Sequence, residues 1–331
     1  MKVSVIIPTY NRPSYLAQAV HSLLKQTHPV FEIIIVDDGS AIKHRNRIDA
    51  LKLLDDRISV YHILENKGVS AARNYGLEKS GGDYILFLDD DDLLHPHMVE
   101  SNLKIFADDS GTGVVSSGYD IFMDANPPDT EWNNEHQKGM SPETIFSWDY
   151  GDTSLLAEHP FSALLQKSLQ VSSCLVSRQA IGTARFPEDL TRGEDIFFWL
   201  TLASAGCSFR INHKQLGLHR LHRYSSLANP DWRKASLKYH LKLFNMKMNA
   251  KLDDRFIGHL HLAHCFFRFN RLQSMNHIFS ACRIFMTLPM IPYWPVLVKT
   301  IAFKFSNKWR QRKVIKARKS IIAGNTCAYR Q

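Results

Sequence analysis

The sequence predicts an α/β protein built on a mostly parallel β-sheet that is flanked by helices. Two observations predict this class. Over the first ninety residues, short apolar and β-branched runs alternate with segments in which apolar residues recur every three or four positions. Polar clusters rich in Asp, Asn and Arg also follow the apolar runs, where ligand-binding residues of parallel sheets collect. The alternation is typical of β-α-β units.

The strongest signals come first along the chain. Four strands are predicted as short apolar runs, at residues 3–8, 31–36, 58–63 and 84–88. Three helices are predicted between them, at residues 14–26, 43–54 and 69–79. The run at 31–36 is apolar without interruption, as expected of a strand that is buried on both faces.

The later part of the chain gives weaker signals. A strand is predicted at 114–123, small and apolar residues resume at 172–176, and a helix is predicted at 196–205. The polar stretch 124–153 is predicted to be a long loop or insertion. From residue 233 onward helical periodicity returns among many basic residues.

Composition places the chain among ordinary globular proteins, with 44% hydrophobic and 22% charged residues. The five cysteines are widely spaced and form no CxxC pair, which argues against a zinc site or a disulfide framework and fits a reducing cytosol. The first residues run directly into a predicted strand without a secretory leader. We therefore expect a cytoplasmic protein.

Charge divides the chain into two unlike parts. Residues 1–232 contain 21 basic and 30 acidic side chains, for a net charge of −9. Residues 233–331 contain 20 basic and two acidic side chains, for a net charge of +18. The two parts must have different tasks or different surroundings.

Four consecutive aspartates, residues 89–92, end the fourth predicted strand. Their mutual repulsion is costly unless water or a cation screens it. Mg²⁺ and Mn²⁺ are commonly held by one or two carboxylates together with substrate phosphates. The run therefore indicates either a divalent-metal site for a phosphorylated ligand or a solvated acidic turn before the next helix.

Two further groups of residues could carry chemistry. Glu194 and Asp195 open a predicted helix of aromatic character, where burial would raise a carboxyl pKa toward the range of a general base. The helix N-terminus opposes that rise in pKa. Spacing alone favours the other interpretation, in which Glu194 and Asp195 are ordinary first-turn residues stabilised by the helix dipole. In the segment 219–226, imidazole could complete a metal site and arginine could bind phosphate. With sixteen histidines in the chain, a given one is more often structural.

Five segments together resemble the family 2 glycosyltransferases, which have the Rossmann-like GT-A fold. They occur in the order seen in that family, and the resemblance covers roughly residues 1–230. The segments are 5–12 (VIIPTYNR), 35–40 (IVDDGS), 66–74 (NKGVSAARN), 87–92 (FLDDDD) and 193–195 (GED). The resemblance implies a GT-A catalytic domain over residues 1–230 and a basic helical region over 231–331.

The resemblance also implies contacts with a nucleotide-diphosphate sugar donor. Pro8 and Tyr10 would frame the base, and Asp38 would accept a hydrogen bond from it. Arg73 would lie near the base or the diphosphate, and Asp89 would contact the ribose. Further nucleotide-sugar-binding residues carried over in the same way are Arg12, Asn66, Asp90 and Arg220.

The implied metal is Mg²⁺ or Mn²⁺, with Asp91 and His222 as ligands. Because four aspartates are adjacent, the register could slip so that Asp90 or Asp92 shares the ligand role. Asp195 would be the general base, with Glu194 beside it. The implied reaction inverts the anomeric centre and transfers the sugar to a glycan or glycolipid acceptor, in the building of a cell-surface polysaccharide or glycolipid.

Two other functions stay open: a nucleotidyltransferase, or a nucleotide-sugar-binding protein without catalysis.

The basic C-terminal region has two interpretations. Aromatic and apolar residues at 284–305, followed by a basic cluster at 308–319, fit an interfacial segment on an anionic cytoplasmic membrane face. They fit equally a packed helical appendage with a solvated basic side. Nucleic-acid binding is not expected, because the first part is acidic and contains no nucleic-acid module.

Overall fold

The structure of the protein is a computed structural model that describes residues 1–123, 144–148, 150–151 and 153–221. Within these residues, nine strands form one mixed sheet with helices packed on both faces. No helix of the described part is both long enough and apolar enough to cross a membrane.

The first four strands are parallel neighbours that form one end of the sheet. Their bounds are β1 Val3–Thr9, β2 Glu32–Asp38, β3 Ile58–Ile63 and β4 Tyr84–Phe87. The connecting helices are α1 Pro13–Leu24, α2 Ile42–Asp49 and α3 Val69–Lys79, and a 3-10 turn, Ala50–Leu53, follows α2. The predicted β-α-β series is confirmed, with bounds that differ by a few residues at most.

The other end of the sheet is mixed in direction. Its strands are β5 Leu93–Leu94, β6 Val114–Met123, β7 Thr144–Trp148, β8 Cys174–Ser177 and β9 Phe209–Leu221. Its helices are α4 Met98–Asp108, α5 Ser154–Glu158, α6 Pro160–Gln166, α7 Arg178–Ile181 and α8 Glu194–Ser204. Strand β8 is antiparallel to both β4 and β6, whereas β9 is parallel to β6. The strand order in the sheet is β3-β2-β1-β4-β8-β6-β9-β5, and β7 pairs with β6 outside that path.

The structure differs from the sequence prediction in this second part. A strand, β7, lies inside the stretch that was predicted to be a loop, because residues 144–148 pair with β6. The thirteen-residue strand β9 was not predicted, and it contains His219 and Arg220. The residues 124–143 and the predicted helical region 231–331, with its boundary near 230, lie outside the described residues.

Apolar side chains on the two faces of the sheet form two separate cores. On one face, α3 and α8 pack over β2, β4 and β8, and Phe186 stacks on Phe198 with ring centroids 4.1 Å apart. On the other face, α1 and α4 pack over β1, β2 and β4, with side chains such as Leu16 and Met98 fully buried. Burial on both faces explains why the central strands are continuously apolar.

Candidate active site

A cleft of about 240 Å³ opens at the carboxyl ends of β1, β2 and β4. Strand ends at this edge of a parallel sheet place polar side chains side by side, so residues far apart in sequence converge there. The lining residues are Pro8, Thr9, Tyr10, Arg12, Asp38, Asn66, Gly68, Val69, Arg73, Asp89, Asp90, Asp91 and Glu194.

At one side of the cleft, Asp38 is held by the loop that follows β3. Its two carboxylate oxygens accept hydrogen bonds from the backbone N–H groups of Lys67 and Gly68, at 2.8 and 2.7 Å. Gly68 adopts φ +91° and Gly39 φ +79°, and a Cβ on Gly39 would approach the backbone N of Asn66 to 2.7 Å. Burial raises the pKa of Asp38, and the two backbone hydrogen bonds oppose that rise.

Asp90 is tied to strand β1 and to the start of α1. Its carboxylate accepts from the Thr9 hydroxyl at 2.7 Å and from the Arg12 guanidinium at 3.2 Å. Arg12 also donates to Asp91, at 3.0 Å. Burial raises the pKa of Asp90 to about 7, although the charge of Arg12 works in the other direction. Arg12 therefore screens two of the four adjacent carboxylates.

Arg73 joins the two sides of the cleft. From helix α3 its guanidinium donates to Asp89 at 2.7 Å and to Glu194 at 3.0 Å, and it lies 5.0 Å from the ring centroid of Phe186. Burial alone would lower the pKa of Arg73, but the charges of Asp89 and Glu194 outweigh it and hold the pKa above its usual value. The Arg73 side chain is 3% exposed, whereas Asp89 and Glu194 are 28% and 14% exposed, so a buried cation joins two carboxylates that border the cleft.

Asp195 follows Glu194 in the first turn of α8. Burial, reinforced by the negative charge of Glu194, raises the pKa of Asp195 to about 7, and Arg73 opposes the rise. The Asp195 carboxylate accepts a hydrogen bond from the N–H of Ile196, at 2.8 Å. A carboxyl group with this pKa can take up a proton near neutral pH, as a general base must.

Asp92 points away from the cleft and into the protein. Its side chain is 1% exposed and contacts residues of β9 and of the segment before β8. Its four hydrogen-bond partners are the Ser172 hydroxyl, the Gln170 amide, the His219 imidazole and the backbone N–H of Arg220. Asp92 thus forms hydrogen bonds within the protein interior, whereas Asp89, Asp90 and Asp91 line the cleft.

Carboxylate oxygens near the cleft fit the requirements of a hard divalent cation. One oxygen from each of Asp89, Asp91 and Asp92 lies within 4.8 Å of the others. Mg²⁺ and Mn²⁺ prefer oxygen ligands of this kind and commonly add phosphate oxygens of a substrate. By proximity alone Asp92 belongs to this set, but the side chains exposed to the cleft are those of Asp89 and Asp91, at 28% and 16%.

Most of the residues predicted from the sequence converge on the cleft. Ten of them line it: Pro8, Tyr10, Arg12, Asp38, Asn66, Arg73, Asp89, Asp90, Asp91 and Glu194. Asp195 is adjacent to Glu194 and is not a lining residue. His222, predicted as a metal ligand, lies outside the described residues. The roles of all these residues stay predictions.

Arg220 does not line the cleft where the sequence analysis had expected donor contacts. Its guanidinium lies 4.9 Å from the ring centroid of Tyr15 and 4.8 Å from that of Phe122. It donates to the backbone carbonyl of Asp91 at 2.7 Å and to the Gln18 amide oxygen at 2.6 Å. The side chain is buried between two aromatic rings and supports residues 89–92, the aspartate turn, from within the protein.

Sequence reasoning missed several residues that support the site. Gln170 and Ser172 bind Asp92, and Asn74 fastens the segment before α8 through hydrogen bonds to both backbone groups of Phe186. Gln170 and Ser172 carry no local motif, and they reach Asp92 across about eighty positions of sequence. Asn74 lies in the NKGVSAARN segment, which was its one available signal.

Residues 4–169 match the family model described as Glycosyl transferase family 2. The chain therefore belongs to the family 2 glycosyltransferases. TuaG of Bacillus subtilis, described as a putative teichuronic acid biosynthesis glycosyltransferase, is 30% identical over 233 residues, which cover 70% of this chain and 84% of TuaG. A glycosyltransferase of Rickettsia conorii is 32% identical over 204 residues, 61% of this chain, but the chain spans only 30% of that relative.

Solved structures show the same fold at low sequence identity. S. aureus TarS 1–349, solved with UDP-GlcNAc, has a TM-score of 0.59 and 19% identity, with 99% of this chain and 93% of that chain covered. The mannosyltransferase PcManGT of Pyrobaculum calidifontis, solved with GDP-Man and Mn²⁺, has a TM-score of 0.57 and 15% identity, with 100% and 88% covered. The α/β architecture with a mostly parallel sheet, implied by the resemblance to GT-A proteins, is confirmed.

Proposed function

We propose that this glycosyltransferase is a metal-dependent, inverting enzyme that transfers a sugar from a nucleotide-diphosphate sugar to an acceptor hydroxyl. The observation that carries the proposal is the arrangement around Arg73. This one buried guanidinium connects Asp89, in the run of aspartates, with Glu194, the neighbour of Asp195. This connection between the proposed donor site and the helix turn that contains the proposed base supports the proposal.

The donor would lie along the cleft, with its nucleoside over β1 and β2. Pro8, Tyr10 and Asn66 would border the base, and Asp38 would accept a hydrogen bond from one of its N–H groups. Each Asp38 oxygen already accepts one backbone hydrogen bond and retains capacity for another. Solved relatives of the same fold bind UDP-GlcNAc and GDP-Man, which supports a donor of this class.

A divalent cation would be held by Asp91, with Asp89 beside it and His222 as a further candidate. When bound, the ion would neutralise charge that develops on the diphosphate leaving group. The oxygen-rich donor set suits Mg²⁺ or Mn²⁺, and the fold relative PcManGT was solved with Mn²⁺. Arg12 and Arg73 would supply positive charge along the same edge of the cleft.

Asp195 would act as the general base. It would remove the proton of the acceptor hydroxyl while that oxygen attacks the anomeric carbon from the face opposite the leaving nucleoside diphosphate. The new C–O bond forms as the bond to the diphosphate breaks, so one displacement inverts the anomeric centre. Arg73 would fix the adjacent Glu194 and thereby the first turn of α8. A raised pKa equips Asp195 for this step near neutral pH.

The acceptor would be a glycan or glycolipid used to build a cell-surface polymer, a class that the name of TuaG supports.

We further propose that the basic region 231–331 adds peripheral contact with an anionic cytoplasmic membrane face, as its charge pattern predicts. Flotation with anionic and neutral vesicles, for the intact chain and for a chain ending at residue 232, tests the contact. Equal flotation of both chains would contradict it.

Screening a panel of nucleotide sugars with Mn²⁺ tests the function itself. Release of nucleoside diphosphate from at least one donor, dependent on Mn²⁺ and abolished by Asp91→Ala, is the expected result. Release of pyrophosphate instead would indicate a nucleotidyltransferase. Saturable donor binding without turnover, in the presence of acceptor glycans, would indicate a binding protein.

A further inference from the structure

We infer that Asp92 is a positioning residue for the aspartate turn and does not bind the metal, although it lies beside the candidate ligands. The inference rests on the proposed donor and metal site. Its basis is the hydrogen bonding of one carboxylate: each oxygen of an ionised Asp can accept about two hydrogen bonds. The partners of Asp92 fill that capacity.

Oxygen Oδ1 accepts from the backbone N–H of Arg220 at 3.0 Å and from His219 Nδ1 at 3.0 Å. Oxygen Oδ2 accepts from the Ser172 hydroxyl at 2.7 Å and from the Gln170 amide at 3.2 Å. A cation could bind Asp92 only if it displaced one of these donors. Ser172 and Arg220 are themselves buried, so displacing the Ser172 hydroxyl or the Arg220 N–H would leave a buried donor without this partner, which is costly.

The same contacts fix the geometry of the turn itself. The Ser172 hydroxyl, which donates to Asp92, also accepts from the N–H of Asp89 at 3.1 Å. The N–H of Asp92 donates to the carbonyl of Asp89, at 3.1 Å. Both ends of the four-residue run are thus joined to one serine, and Asp89, Asp90 and Asp91 line the cleft.

Strand β9 holds the run from a second direction. Arg220 offers its backbone N–H to Asp92 and its side chain to the carbonyl of Asp91, while Tyr15 and Phe122 enclose the guanidinium. Arg220 thereby holds the backbone of Asp91, while Arg12 holds its carboxylate. Asp92 and Arg220 would therefore act on the metal through Asp91, as residues that orient metal ligands commonly do.

Two measurements test the inference, and the first needs no metal. Amide hydrogen exchange of a peptide covering residues 89–94 should accelerate in Asp92→Asn and in Ser172→Ala, because each variant removes a bond of the turn. The surface variant Asp109→Asn, whose carboxylate is 39% exposed in a pair with Arg210, is the matched control. Exchange at the wild-type rate in both test variants would overturn the positioning role, whether or not the protein binds metal.

The second measurement is titration with Mn²⁺ in the presence of UDP, followed by electron paramagnetic resonance. Asp92→Asn should retain one Mn²⁺ per chain with affinity weakened about 10- to 100-fold, the usual cost of losing a residue that orients a ligand. Asp91→Asn should lose the bound ion. Complete loss of Mn²⁺ in Asp92→Asn, as in Asp91→Asn, would show that Asp92 is a ligand. Absence of binding by the wild-type protein would count against the proposed metal site, and hydrogen exchange would still decide the positioning role.

Discussion

The two halves of the described molecule reach the same cleft by different means. In the N-terminal half, residues 1–92, the strands β1 to β4 pair with one another in parallel, so the site residues follow from the strand ends. In the C-terminal half, residues 93–221, strand neighbours are far apart in sequence and directions are mixed. The first half contains the proposed donor site, and the second contributes Glu194, Asp195 and the supports of the aspartate turn.

The difference shows where function depends on long-range packing. The halves share the pairing of β4 with β8 and both apolar cores, and they also meet through polar contacts of Arg73 with Glu194, Asn74 with Phe186, and Asp92 with strand β9. A regular β-α-β unit could bind a nucleotide by itself. The proposed general base, Asp195, can act only if the C-terminal half packs correctly against the N-terminal half. Substitutions at the junction should therefore reduce turnover more than donor binding.

The largest effect is expected from Asp195→Asn, which removes the candidate base without changing its size. Turnover should fall about 10²- to 10⁴-fold, the usual contribution of a general base, while donor affinity changes little. Kinetics at saturating donor and acceptor will check this, with Asp109→Asn as the control. Near-normal turnover would exclude Asp195 as the base.

The same substitution should stabilise the protein, with a defined pH dependence. The folded protein raises the pKa of Asp195 to about 7, so the charged form opposes folding. This cost is absent below the unfolded pKa of about 4 and is complete above pH 7. Thermal unfolding should therefore show Asp195→Asn a few degrees more stable than wild type at pH 8 and equal to it near pH 3.5. A gain that is independent of pH would contradict the shift.

Arg73→Met should produce the next largest effect, because it leaves Asp89 and Glu194 facing each other without their shared cation. We expect a loss of about 3 kcal/mol in the free energy of unfolding, in the range found when one partner of a buried pair is removed. Urea denaturation will measure it. The matched control is Arg210→Met, which removes an arginine of an exposed pair. An equal loss in both variants would contradict the claim that the buried Arg73 contributes more to stability than an exposed arginine does.

Asn74→Ala probes the junction without removing a charge. The Asn74 amide donates to the Phe186 carbonyl and accepts from the Phe186 N–H, both at 2.9 Å, so alanine leaves two buried backbone groups unpaired. A loss of about 1–3 kcal/mol follows from their desolvation. Turnover should fall while the affinity for the donor stays near that of wild type. Loss of donor affinity alone, with turnover unchanged, would show that Asn74 serves donor binding and would contradict its proposed role at the junction of the two halves.

The smallest effect is expected far from the junction. Asp109 and Arg210 form an exposed pair in the C-terminal half, at 2.8 Å, and such pairs contribute little to stability because water and salt screen the two charges. Arg210→Ala should therefore shift the urea midpoint only slightly and leave turnover unchanged. A large loss of activity would show that the C-terminal half transmits changes from its surface to the cleft.

How much the sequence predicts depends on the same division. The strands and helices of residues 1–92 were predictable because their apolar periodicity is local, and the family motifs at their ends mark the cleft. Strand β9 was not predictable, because Gln215 and Gly217 interrupt its alternation of apolar and polar residues and its pairing with β6 shifts in register. The buried position of Arg220 depends on that pairing, so its contact with the Asp91 carbonyl could not be read from the sequence, and its predicted role in donor binding stays a prediction.

The most direct test of the account is the pH dependence of kcat/KM for the donor and acceptor pair found by the screen. The wild-type profile should rise between pH 5 and 8 with an apparent pKa near 7, because Asp195 must be deprotonated to accept a proton. Asp90 also has a pKa of about 7, so Asp90→Asn is the necessary comparison. The account predicts that the rise persists in Asp90→Asn and disappears in Asp195→Asn. A rise that survives in Asp195→Asn would contradict the central claim that the C-terminal half supplies the base.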